Sequence, residues 1–86
     1  MATSTIKKEI YNDSKQGTTG SNGELSIGLS ASNYEMLSAK CTSSGNVVAI
    51  PYRVGSGTWN VVCFNLVGWT KVASTSVTIK YTYTNS

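Results

Sequence analysis

Acid–base chemistry needs a positioned proton acceptor, and this sequence offers few. It contains no histidine, and its acidic residues are Glu9, Asp13, Glu24 and Glu35. Without histidine, no Ser-His or Cys-His pair exists to activate a nucleophile. Glycoside hydrolysis needs two carboxyl groups flanking one sugar bond, roughly 5–9.5 Å apart. The strand-borne candidates are Glu24 and Glu35, but Glu24 reads as a solvated strand start and Glu35 sits beside a turn. Asn12 and Asp13 supply too few oxygen ligands for a calcium loop. The run G-T-T-G-S-N-G from Gly17 to Gly23 lacks the lysine and following helix of a phosphate loop. Cys41 and Cys63 have no CxxC motif around them and do not make up a zinc ligand set. They read as two buried thiols or as one bridge between neighbouring strands. No enzyme, metal or cofactor is expected.

Binding is the better use of these residues. Trp59, Trp69, Tyr34, Tyr52, Tyr81 and Tyr83 carry flat apolar faces with polar edges, which suit sugar rings and protein loops. The candidate ligand-binding residues are Trp69, Lys71, Asn65, Arg53 and Tyr52. Trp69 lies in a loop-like stretch with Asn65, Gly68, Thr70 and Lys71 around it, and recognition concentrates in such loops. The alternative for Trp69 is a plug at the end of a sandwich. Tyr52 and Arg53 follow Pro51, so Arg53 projects from an edge or is simply solvated. Trp59 shares its parity with Val61 and reads as core; Tyr81 and Tyr83 read as core or subunit interface.

Seven basic residues give a net charge of +3, but beyond the adjacent Lys7 and Lys8 they are scattered singly. Nucleic-acid binding needs a basic stripe or patch, so it is not expected. Charged residues make up only 13% of the chain, against 13 serines and 11 threonines, which describes a hydroxyl-rich β surface. No run of about 18 apolar residues is present, so no membrane insertion is expected. The first residues lack a basic stretch followed by an apolar run, so a secretory signal is not expected either.

The elements that must position these side chains are strands. At 86 residues the chain is one small domain, which buries only roughly 60–65% of its unfolded surface. Residues 1–23 read as a flexible N-terminal segment, with linker and turn chemistry in Asn12–Gly23. From Glu24 onward the apolar period is two. Leu25, Ile27 and Leu29 alternate with polar or small residues. In Tyr34–Cys41, Leu37, Ala39 and Cys41 share one parity, Tyr34 and Met36 the other. Val48, Ile50, Tyr52 and Val54 alternate, with Pro51 arguing for an edge or bulge. Gly55-Ser56-Gly57 reads as a tight hairpin, and Thr58–Asn65 is apolar on both faces. Val77, Ile79, Tyr81 and Tyr83 form the clearest half-buried strand. Five strands give an all-β class and a small antiparallel, jelly-roll-like β-sandwich over 24–86. Such a sandwich needs one buried face per strand. The second apolar face, with Val47, Val48, Ile50, Val61, Val62 and Phe64 as its markers, implies a cover: further copies of the chain, or else the N-terminal segment.

The words N-G-E-L-S-I-G-L-S, N-Y-E-M-L-S-A-K, V-V-A-I-P-Y, G-T-W-N-V-V-C-F-N and S-V-T-I-K-Y-T-Y, over residues 20–84, resemble C-terminal domains of tailed-bacteriophage and prophage tail fibres. The resemblance implies a homotrimeric β-sandwich head at the distal end of a fibre, on the virion tail. It also implies a partner on the host cell surface, a saccharide or a protein, bound through loops without hydrolysis. The Gly/Ser/Thr-rich run before Glu24 is then the stalk junction. The long shaft of such fibres has no counterpart here, so an excised tip or a free-standing protein of that shape is expected.

Overall fold

The computed structural model describes residues 9–55 and 57–85. They form six strands: β1 (Ile10–Thr18), β2 (Glu24–Ser30), β3 (Tyr34–Cys41), β4 (Val47–Val54), β5 (Thr58–Asn65) and β6 (Ser76–Asn85). Two antiparallel three-stranded sheets, ordered β1-β6-β3 and β2-β5-β4, pack face to face around one core. The all-β sandwich follows the alternation read from the sequence, and Pro51 does lie on an edge strand.

The first correction is β1. Linker chemistry was expected over 12–23, yet Ile10–Thr18 pairs without a break with β6, from Ile10↔Thr84 to Thr18↔Ser76. The strand carries little apolar alternation because its inner-face positions Asp13 and Lys15, opposite Tyr81 and Ile79, stay in water at the open side of the sandwich. Backbone hydrogen bonds to β6 order it, with packing only near its two ends, where Tyr11 stacks on Tyr83 at 5.2 Å and Gly17 lies against Leu25. The described residues thus form six strands where five were expected. The rest of the expected flexible segment, residues 1–8, lies outside the described residues.

The core joins Val77, Ile79 and Tyr81 of β6 to Val61 and Cys63 of β5, with Leu25, Met36, Cys41, Ala49 and Val72 around them. Ile79, Val61 and Cys63 are fully buried, each such aliphatic side chain contributing about 1.5–3 kcal/mol. The second correction is parity in β3. Its register slips between Met36 and Ser38, so that Met36 faces Tyr83 while Ala39 and Cys41 face Tyr81 and Ile79. Leu37 is the extra residue and stands 47% exposed, whereas Met36 is in the core. A bulge inverts the side-chain phase beyond it. Hydrophobic residues in both phases of this strand concealed the slip. A similar irregularity in β2, between Ser26 and Leu29, carries Gly28 at positive φ and lets Ile27 N–H donate to Asn60 Oδ1 at 3.3 Å.

Both cysteines are free and buried, so no bridge joins them. Burial, with a smaller contribution from Cys41, pushes the Cys63 thiol up to about 11 from 9.0. Because the folded chain holds this proton more tightly, the stabilisation is whole below pH 9 and is lost as pH climbs towards about 11. Burial and then Asp13 raise Tyr81 as well, in the same direction. The melting temperature is therefore expected to fall across this alkaline window. Cys63→Ala should flatten part of the decline, which calorimetry at stepped pH will measure.

Gly23 is the turn residue that backbone geometry requires. Its φ is +82°, and a Cβ there would sit 2.8 Å from the carbonyl oxygen of Cys63. Gly23→Ala should destabilise by about 2 kcal/mol or more. Gly45→Ala, where a Cβ meets open space, should change stability little in the same urea titration.

Candidate functional site

The outer face of the β2-β5-β4 sheet concentrates the unsatisfied apolar surface. On β5 the outward row is Thr58, Asn60, Val62 and Phe64; opposite it on β4 stand Val54, Tyr52, Ile50 and Val48. Glu24 and Ser26 of β2 flank Val62 and Asn60 on the other side. Ile50, Tyr52 and Val54 remain exposed. The N-terminal strand does not cover this face, because β1 joins the opposite sheet through β6.

Within this face lies a trough of about 390 Å³. Val62 and Phe64 floor it, two residues apart on one strand and so roughly 7 Å from one another. Ile50, Pro51 and Tyr52 make an apolar and aromatic wall. Asn22, Glu24 and Lys71 make the opposite wall, which is polar and carries both signs of charge. Asn22 Nδ2 donates to Glu24 Oε2 at 2.8 Å, and Asn22 Oδ1 accepts from the Glu24 N–H at 3.2 Å. Glu24 is thereby held at the rim with carboxylate capacity to spare.

Two connections bring the polar wall to β5. Cys63 N–H donates to Gly23 O at 2.8 Å, and Val72 N–H donates to Cys63 O at 2.9 Å. The first seats the β1–β2 turn, with Asn22 and Glu24. The second seats the chain after the β5–β6 turn, where Lys71 bridges Phe64. Buried Thr19 ties the two connections together: its Oγ1 donates to Val72 O at 2.6 Å and accepts from Thr75 N–H at 3.0 Å. Lys71 Nζ sits 5.9 Å from the Phe64 ring centre, within cation–π range.

The turn Leu66–Trp69 follows β5 and brings Trp69 against Phe64, outside the trough's own lining. Gly68 and Trp69 both have positive φ, 87° and 55°; for a bulky residue this is a strained conformation, costing on the order of 1–3 kcal/mol. Asn65 holds it: its N–H donates to Thr70 O at 2.7 Å, and its Nδ2 donates to Thr70 Oγ1 at 2.9 Å. Leu66 N–H donates to Asn46 O at 2.8 Å. So anchored, the turn displays Leu66, Val67 and Trp69 to solvent, Val67 at 86%. Trp69 does not plug the sandwich end; its ring lies 5.6 Å from Phe64 and 57% of it is exposed.

Of the residues singled out in the sequence, Tyr52 and Lys71 line the trough on opposite walls. Trp69 extends it through Phe64, and Asn65 shapes the turn that carries Trp69. Arg53 is not part of this arrangement: opposite Trp59 in the register, it has the inward parity and leaves the sheet exposed on the other side from Tyr52. Trp59 itself packs on the core and donates from Nε1 to Tyr34 O at 3.0 Å. Glu24 and Asn22 were not anticipated as site residues; the i, i+2 Asx pattern at Asn22–Glu24 was the available signal. Glu24 and Glu35 lie on opposite outer faces of the sandwich, opposite Val62 and Thr84 respectively. No family model, curated protein or solved structure matches this chain.

Asn65→Ala removes the side-chain anchor of a strained turn and should cost about 1–2 kcal/mol. In a Trp59→Phe background, the remaining tryptophan emission should also become more accessible to iodide quenching.

Proposed function

We propose that this chain is a non-enzymatic recognition head of the tail-fibre type, acting as a trimer on the virion tail and holding a host-surface saccharide or protein in the trough. The observation that carries the reading is the trough's asymmetry. An aromatic and aliphatic side, with Tyr52 and Phe64, faces a polar side with Glu24, Asn22 and Lys71. A sugar ring has the same two-sided character, and pre-formed contacts bind it at low entropic cost. The division of Glu24 and Glu35 between opposite faces supports binding without hydrolysis. Association of copies is supported by the aliphatic surface the trough does not use, notably Val54 and Val67.

The same aliphatic surface favours a second reading, a structural cap that holds three chains in register while adhesion lies elsewhere. Sedimentation and a binding assay on bacterial cell-wall fragments separate the two. A trimer that binds the fragments, and loses binding more than tenfold in Trp69→Ala and Tyr52→Ala at unchanged circular dichroism, is the expected result. A trimer without binding supports the cap. A stable 9.1 kDa monomer removes both.

A further inference from the structure

The opposite outer face, on the β1-β6-β3 sheet, has a different chemistry. Lys80 stands at its centre on β6, with Lys40 directly opposite on β3 and Ser14 directly opposite on β1. The neighbouring rows are hydroxyl and amide: Asn12, Thr82 and Ser38 on one side, Gln16 and Thr78 on the other. No carboxylate and no hydrophobe occupies these three rows; Ile10 lies in the next row, opposite Thr84, and Leu37, the extra residue of the β3 bulge, is exposed beside Ser38. Glu35 lies opposite Thr84, four residues and roughly 13 Å along the strand from Lys80. A shallow depression of about 490 Å³ opens around Lys80, between Asn12 and Ser14 on one flank and Thr42 and Thr78 on the other. Asp13 also borders it, a carboxylate whose Oδ1 accepts from the Ser14 N–H at 2.8 Å, so that two ammonium groups, Lys80 and Lys40, stand against one negative charge.

Like charges directly opposite one another destabilise a sheet, so Lys40 and Lys80 act against the fold they sit in. Their field converges on a flat surface that can accept a negative partner and offers hydroxyls at strand spacing. A protein partner would want an apolar, aromatic centre, which this grid lacks. Single-stranded nucleic acid would want stacking platforms and more cations. We propose that this face is a second binding surface, independent of the trough, for an anionic polysaccharide.

The test uses the whole chain and dextran sulfate, with neutral dextran and single-stranded DNA alongside, at about 50 mM and about 200 mM salt. Lys40→Thr and Lys80→Thr are expected to weaken dextran sulfate binding about tenfold each, and to reduce the log–log salt slope by about one per lysine. Relief of the like-charge pair should leave the melting temperature unchanged or higher, which separates lost binding from lost fold. Lys15→Gln, on the other face of β1, should leave the affinity unchanged. Absence of dextran sulfate binding at the lower salt overturns the proposal. So does an equal loss in Lys15→Gln, which reduces the effect to net charge, and so does DNA binding as tight as dextran sulfate.

Discussion

The backbone of Cys63 is the point on which the trough depends. Its N–H and C=O reach two separate connections, at Gly23 and Val72, and its side chain is wholly buried between the sheets. One backbone unit therefore sets the distance between the turn bearing Asn22 and Glu24 and the segment bearing Lys71. Gly23 is required there because the approach to Cys63 O leaves no room for a Cβ. The trough's polar wall is thus a consequence of how the end of β5 is hydrogen-bonded. Thr19 secures the same junction from inside, with its hydroxyl both donating and accepting, and no buried side-chain nitrogen or oxygen among the described residues lacks a partner.

Each sheet has two edges, and each of the four edge strands carries a device against pairing with another chain. β4 has Pro51, which lacks a donor; β1 presents Asp13 and Lys15; β2 and β3 are interrupted by register shifts at Gly28 and Leu37. These are familiar protections against edge-to-edge association. With the edges blunted, the faces and turns are the surfaces left open. The two outer faces divide the chemistry between them: aromatic and aliphatic on β2-β5-β4, hydroxyl and ammonium on β1-β6-β3.

Much of this was legible in the residues because strand period is a local property. The alternation in Ser76–Asn85, the doubly apolar Thr58–Asn65 and the hairpin glycines before it placed β4, β5 and β6 and showed that one outer face would be greasy. Tyr52, Lys71 and Trp69 were likewise identifiable from aromatic and loop character. Less legible was β1, since an edge strand whose inner face packs only at Tyr11 and Gly17, with Asp13 and Lys15 between them, leaves almost no apolar signature. Arg53 was misjudged as a companion of Tyr52 because adjacent residues on a strand point to opposite faces.

By itself, then, the chain of residues determined the class of element, the wealth of hydroxyls, the shortage of acid–base groups and the surplus of apolar strand surface. Tertiary structure decided which sheet each strand joined, the phase of β3 beyond Leu37, the placing of Glu24 and Lys71 on one wall of the trough, and the facing of Lys40 by Lys80. The physical reason is that composition and period are carried by neighbours in sequence. Register, bulges and the walls of a site arise from hydrogen bonds between segments as distant as Gly23 and Cys63, which no local pattern encodes.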